Sequence, residues 1–201
     1  MRTFFLTLVL IFLVIACFAM SALKASASAK VEDPVVTLYT DVDDSSAWAV
    51  INAIHAANKI KTDAPIMFYI NSDGGDVFAG SRIISAMESS RREVWTVDVG
   101  FAASEAGFIF CSGDRRFMLP YTVLMLHDGS LRASNSTDKV YSEIDFSKKV
   151  DDIYYERVAE LSGLTVEQIR AKASLDWWML EDEAEKNHLA TSLVLGDYPS
   201  P

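Results

Sequence analysis

Apolar and polar positions along this chain follow two alternating periods. Short apolar runs at residues 35–39, 66–70, 94–99, 116–119 and 123–126 have strand length and are rich in Val, Ile, Leu, Phe and Tyr. Between them apolar positions recur at helical spacing. Trp48, Ile51, Ile54 and Ala57 follow the capping chemistry of Asp44-Ser45-Ser46; Ile83, Ile84 and Met87 share one face of 77–90; and 104–111 reads as a short buried helix. A long charged pattern, 138–161, carries Ile144, Phe146, Val150, Ile153, Tyr154 and Val158 on its apolar side and closes at Gly163. Thr165 with Glu167-Gln168 opens a further short helix, 174–179 reads as a turn or short strand, and 181–187 is helical again. Strands alternating with helices predict an α/β fold.

The N-terminus has a different pattern. Arg2 precedes an unbroken apolar run at 4–16, and Ala27-Ser28-Ala29 supplies a small-residue cleavage site, so residues 1–29 are expected to be a secretory signal with the mature chain beginning at Lys30. Two other readings of the same stretch stay open. Val14-Ile15-Ala16-Cys17 resembles a lipoprotein box with Cys17 as the lipidated residue, and apolar character at 4–23 is long enough for an uncleaved membrane anchor. Export to a periplasmic or extracellular space is the leading expectation. The remainder, 30–201, has the size of one domain.

Removing 1–29 takes two of the 18 basic side chains, Arg2 and Lys24, and none of the 28 acidic ones, moving the formal net charge from −10 to −12. An acidic domain argues against nucleic acid or an anionic membrane surface as partner. It retains one cysteine, Cys111, inside an apolar run, which predicts a buried free thiol and no intrachain disulfide. The three histidines, His55, His127 and His188, are scattered, so no metal site is expected, and no cofactor.

The chemistry is concentrated in two strand-to-helix turns. Asn71-Ser72-Asp73-Gly74-Gly75-Asp76 follows the strand at 66–70, and its paired glycines let backbone N–H groups approach a ligand. Gly100-Phe101-Ala102-Ala103-Ser104 follows the strand at 94–99 and sets a hydroxyl at a helix start, where unpaired N–H groups favour negative charge. A nucleophile beside anion donors suits acyl transfer. Taken singly, each residue has a plainer reading: Ser104 as a helix cap, His127 as a surface partner of Asp128, the glycine pair as a tight turn. The four tryptophans read as packing, and His55 and His188 as structural.

Taken together, Ile70-Asn71-Ser72-Asp73-Gly74-Gly75, Ala102-Ala103-Ser104-Glu105-Ala106, Phe117-Met118-Leu119-Pro120, Met125-Leu126-His127 and Asp176-Trp177-Trp178-Met179 resemble, in order and in spacing, the motif series of the Clp protease proteolytic subunit family. The resemblance covers about residues 35–195. It implies a ClpP/crotonase-like superhelix of strand–helix turns with a long protruding handle helix, and a serine endopeptidase. Ser104 would be the nucleophile, His127 the general base and Asp176 the group that orients the imidazole. The N–H groups of Gly75 and Glu105 would form the oxyanion hole, and Gly74 and Gly75 would bind the substrate strand. It also implies a homo-oligomer, with ring assembly through the helix at 138–161, whose Phe146, Ile153, Tyr154 and Tyr155 would supply an interface, and a peptide or unfolded protein as substrate.

The sequence departs from that pattern at informative places. Asp73 stands where the family has proline, Glu105 where it has an apolar neighbour of the nucleophile, and Asp128-Gly129 where it has Gln-Pro. A Glu105 carboxylate facing the site would oppose an oxyanion, and Asp128 would compete with Asp176 for His127. The family's segment ahead of the first strand is replaced by the signal-like stretch, which makes an ATP-driven unfoldase partner doubtful and predicts ATP-independent cleavage. Three rivals remain: a pseudoenzyme that keeps the fold for assembly or peptide binding; a membrane peptidase with a serine–lysine dyad, disfavoured because no lysine follows Ser104 before Lys139; and an acyl-CoA enzyme of crotonase type, disfavoured by the lack of a basic phosphate-binding cluster.

Overall fold

A computed structural model describes residues 35–129 and 137–192, all within the compact unit Asp33–Pro201. The leader 1–29, the polar lead 30–34, most of the loop read at 129–137 and the C-terminal end lie outside the described residues. The elements run β1 (Val36–Leu38), α1 (Asp44–Ala57), β2 (Ile66–Ser72), α2 (Val77–Glu88), β3 (Val94–Ala103), α3 (Glu105–Cys111), β4 (Arg115–Met118), β5 (Val123–Leu126), α4 (Thr137–Ser162), α5 (Val166–Ala173), β6 (Trp177–Leu180), α6 (Glu181–Lys186) and β7 (Thr191–Ser192). This is the expected α/β alternation.

The strands form one sheet in the order β1-β2-β3-β4-β7, all parallel along that path, while β5 pairs with β3 in parallel and with β6 in antiparallel sense. Side chains alternate across a strand, and the two faces differ. Ile66, Phe68 and Ile70 of β2 join the main core with Ile54 and Ala57 of α1, Ile83 and Met87 of α2, and Ile109 and Phe110 of α3. Tyr69, Val97 and Phe117 cluster separately with Met67, Trp95 and Val99. Covering one face with the crossover helices is what parallel pairing requires, since each parallel connection must cross over the sheet.

Caps place the helix starts. The N-cap of α1 is Asp43, one residue ahead of the triplet expected to supply it: its side chain accepts from the Ser46 N–H at 2.8 Å while its own N–H donates to Ser46 Oγ at 2.9 Å. A reciprocal box also opens α5, between Thr165 and Gln168, as the sequence predicts. β3 runs four residues past its expected end, because Gly100 marks a bulge and not a stop: Ile70 pairs with Asp98 but Ser72 pairs with Ala102. The short β7 gives no sequence signal; at two residues it is below the length at which periodicity can be read.

The handle helix α4 divides along its length. Tyr141 and Phe146 toward its start and Ile153 on its outer face are exposed, whereas Tyr154, Tyr155 and Val158 are buried in the domain's own core. Tyr154 and Tyr155 are therefore not free to form the interface expected of them. Phe146 does stack on exposed Phe78 of α2, with ring centroids 6.0 Å apart. No helix among the described residues is long and apolar enough to cross a membrane.

Candidate active site

Strand register gathers the three residues that the sequence places far apart. β3 pairs with β5 through Ala103↔Met125, so the residue that follows each strand, Ser104 and soon after His127, emerges at the same edge. β5 pairs with β6 through Leu126↔Trp177, which sets Asp176, just ahead of β6, beside His127, just past β5. The Ser104 Oγ stands 2.7 Å from His127 Nε2, and His127 Nδ1 stands 3.3 Å from Asp176 Oδ1. The imidazole is 28% exposed and the carboxylate 54%, so the group lies at the surface and not in the core.

The hydroxyl is aimed by a strained backbone. Ser104 has φ 56° and ψ −126°, in a region an L-residue enters only when its surroundings hold it there. Those surroundings are definite. The Ser104 N–H donates to the Met125 carbonyl at 2.9 Å, and the Ser104 carbonyl accepts from the Gly107 N–H at 3.0 Å as α3 begins. The serine sits at the N-cap position yet its side chain makes no capping bond, so the plainer reading of Ser104 as a helix cap fails and the hydroxyl is left to the histidine. Asp176 also has a left-handed backbone, φ 55°, a conformation aspartate tolerates better than most residues.

The glycine turn lies against this edge. A side chain on Gly74, with φ +97°, would start 2.6 Å from both the Ala103 carbonyl oxygen and Ser104 Cβ and 2.9 Å from the Glu105 nitrogen. Only glycine lets the two turns touch. Gly75 bridges to Val42 in parallel fashion: Val42 N–H donates to the Gly74 carbonyl at 2.8 Å and Asp76 N–H to the Val42 carbonyl at 2.7 Å. That pairing leaves the N–H of Gly75 unused among the described residues. The N–H of Glu105, first residue of α3, has no intrahelical acceptor by position. The Glu105 N–H thus follows the serine directly, and the turn that carries the Gly75 N–H packs on the same edge through Gly74.

The two acidic departures are resolved in an unexpected way. Glu105 is 3% exposed and its carboxyl points away from the serine edge, with Oε1 accepting from the Tyr154 hydroxyl at 2.9 Å. Burial pushes this carboxyl up to about 8, with Asp76 and Asp151 adding to the shift and the Tyr154 hydrogen bond opposing it. Asp128 is bonded by the Tyr155 hydroxyl, so it does not compete for His127 as the sequence suggested it would. Adjacent tyrosines of the handle helix therefore take up the carboxyls that follow Ser104 and His127. Sequence reasoning missed this role for Tyr154 and Tyr155; the one available signal was that each acid beside the site needed a partner.

Other expectations have simple outcomes. Cys111 is a buried free thiol at the end of α3, pushed up to about 12 chiefly by burial. Trp177 packs in the core, but Trp48 and Trp178 are 60% and 51% exposed, so packing does not account for all four tryptophans. Trp178 leans on Phe101 with centroids 5.9 Å apart, beside the serine edge. No group of metal-ligating side chains occurs among the described residues.

This geometry can be set beside known proteins. The model of the Clp protease family matches residues 21–195. Over 152 residues the chain is 32% identical to the ATP-dependent Clp protease proteolytic subunit 2 of Thermobifida fusca, covering 75% of each chain. It is 31% identical over 153 residues to proteolytic subunit 1 of Frankia casuarinae, covering 75% of this chain and 72% of that one. With the proteolytic subunit of Streptococcus gordonii the identity is 32% over 157 residues, covering 76% and 80%. The match spans both glycine and serine turns, β5, the handle helix and Asp176, and the chain belongs to the Clp protease family.

Proposed function

We propose that the protein is a serine endopeptidase that hydrolyses peptides or unfolded proteins through an acyl-enzyme. The observation that carries this reading is the 2.7 Å contact between Ser104 Oγ and His127 Nε2, made by a serine whose backbone is strained and whose hydroxyl caps nothing. Within hydrogen-bond reach, the imidazole takes the hydroxyl proton as the oxygen attacks the scissile carbonyl carbon. Asp176 at Nδ1 holds the tautomer that leaves Nε2 free to accept, and it stabilises the imidazolium. The oxyanion accepts from the N–H groups of Gly75 and Glu105, and the imidazolium returns the proton to the leaving amine. Water then repeats the sequence on the acyl-Ser104 ester. Gly74 and Gly75 lie where a substrate strand would run along the turn.

The setting belongs to the same proposal. Residues 1–29 direct export, and the mature chain works in a compartment without ATP, unlike relatives whose names include ATP-dependence. It cuts unaided what is already unfolded, as a homo-oligomer joined through the exposed parts of α4. The inward turn of Glu105 and the capture of Asp128 by Tyr155 weigh against the pseudoenzyme reading, since both carboxyls have partners other than the serine–histidine pair.

The test is labelling of the purified protein with a fluorophosphonate, beside Ser104→Ala and His127→Ala. Labelling that needs both residues supports the proposal. A folded, assembled protein that does not label overturns it.

A further inference from the structure

The chain buries a second carboxyl group that the reaction above leaves unused. Asp98 is 0% exposed, on the face of β3 it shares with Val94 and Thr96, toward the helix-covered core. Its Oδ1 accepts from the Gly100 N–H at 3.0 Å, Thr122 lies beside the carboxyl with its hydroxyl donating to the Leu119 carbonyl at 2.9 Å, and Oδ2 is buried without a partner. Thr122 is itself 3% exposed and lies in the turn between β4 and β5.

This is the point where β3 changes neighbours. As far as Asp98↔Met118 it pairs with β4, and from Phe101↔Val123 it pairs with β5. On its other side the bulge falls at the same place, three residues of β3 facing Asn71 alone between Ile70↔Asp98 and Ser72↔Ala102. The Asp98 carboxyl holds the bulge through Gly100 and packs beside Thr122 at the start of β5. The register so fixed is the one that pins Ser104 N–H on Met125 and sets His127 past the end of β5.

An unpartnered oxygen makes the two protonation states unequal. Burying a carboxylate with one oxygen unsatisfied is far more costly than burying the neutral acid. The group is pushed up to about 7 by burial, which outweighs the Gly100 and Thr122 contacts that favour the carboxylate, so ionisation strains the bend even though the Gly100 bond itself is kept. Its register neighbours are Ile70 on β2 and Met118 on β4, its backbone carbonyl takes the Leu119 N–H, and no charged group contributes to its shift.

We infer that Asp98 is a positioning residue for the Ser104–His127 pair, locking the bend of β3 onto β5 as the neutral acid and loosening it as the carboxylate. Its effect on rate rests on the peptidase reading; the bend itself does not. The experiment follows fluorophosphonate labelling, and amide exchange of peptides spanning 99–104 and 122–127 corrected for intrinsic rates, in the wild type, Asp98→Asn and Asp98→Ala. At about pH 5.5 the wild type and Asp98→Asn label alike. At about pH 8 Asp98→Asn labels about tenfold faster, because a group with its midpoint near 7 is then about nine-tenths ionised in the wild type. Exchange in the two segments rises from about pH 6 to about pH 8 in the wild type only. Asp98→Ala, which cannot accept from Gly100, labels slowly throughout.

Coincident rate and exchange profiles for the wild type and Asp98→Asn overturn the inference. So does an Asp98 carboxyl carbon that titrates in the ordinary aspartate range near 4 in the wild type, a measurement that decides even if Asp98→Asn does not fold. Labelling by no variant removes the peptidase reading while exchange and the carboxyl titration still decide the bend.

Discussion

The carboxyl of Glu105 and the hydroxyl of Tyr154 meet at 2.9 Å, and this contact turns the acid beside the proposed nucleophile into the core. Glu105 thus keeps its side chain out of the proposed site. Its N–H borders the serine while its side chain lies beneath, against Gly80 of α2. The arrangement tolerates a neutral acid better than a charged one, because the surroundings are desolvated.

Stability and rate should both record that preference. Glu105 rises from 4.5 to about 8 on folding. A raised acid binds its proton more tightly in the folded state, so its contribution is fully present below about 4.5, falls as pH rises, and levels above about 8. The urea midpoints of the wild type and Glu105→Gln should nearly coincide at about pH 4 and separate in favour of Glu105→Gln by about pH 9. Labelling should follow the same group: above about pH 8 the wild type slows as a charge forms beneath the oxyanion donors, and Glu105→Gln does not. A constant midpoint difference across this range would mean that Glu105 is not the buried acid.

Asp176→Asn isolates the third member of the group. Asparagine tolerates the left-handed backbone at this position, so the chain should fold unchanged. With the imidazole no longer held in its productive tautomer, kcat on a peptide substrate should fall by on the order of 10³–10⁴-fold with KM little altered. A loss below about tenfold would assign the orienting role elsewhere, with Asp128 the nearest acid in sequence.

Much of this site was legible in the sequence, and the reasons can be named residue by residue. Ser104, His127, Asp176 and the Gly74-Gly75 pair each sit at the end of a strand or in a turn, where local chemistry and chain order carry the information. The fate of Glu105 and Asp128 was not legible, because it depends on which face of α4 packs inward. Tyr154 and Tyr155 are polar enough for a surface and apolar enough for a core, and the 3.6-residue period does not choose between these. Asp98 was hidden for a related reason: it interrupts an apolar strand by one residue, and only strand pairing reveals the bulge that it braces.

Cys111 gives a check on the core independent of activity. It lies at the C-terminal end of α3, fully buried, and burial pushes its thiol up to about 12 despite Arg116 and Arg157 nearby. Thiolate is the reactive form, so an alkylating reagent at about pH 8 should leave the native protein unmodified and label it fully in guanidinium, as read by intact mass. Rapid native alkylation would show that α3 opens, and with it the helix start that presents the Glu105 N–H.

The packing beneath the site can be tested as a coupling. Gly80 lies inside α2, where alanine is ordinarily preferred by about 1 kcal/mol. A Cβ there would stand 1.8 Å from Glu105 Oε1 and 2.3 Å from its Cγ, so the carboxyl must leave Tyr154 to admit it. Gly80→Ala should therefore destabilise the wild type by about 1–3 kcal/mol, through overpacking and the lost hydrogen bond. In a Glu105→Ala background the obstruction is gone, and the same change should be neutral or stabilising by up to about 1 kcal/mol. Glu105 follows Ser104 and opens α3, so forcing its side chain to move should also slow fluorophosphonate labelling in Gly80→Ala, and the double variant should recover it. Denaturant unfolding of the four proteins measures the coupling, and effects that add to within about 0.5 kcal/mol would place the Glu105 side chain somewhere other than against Gly80.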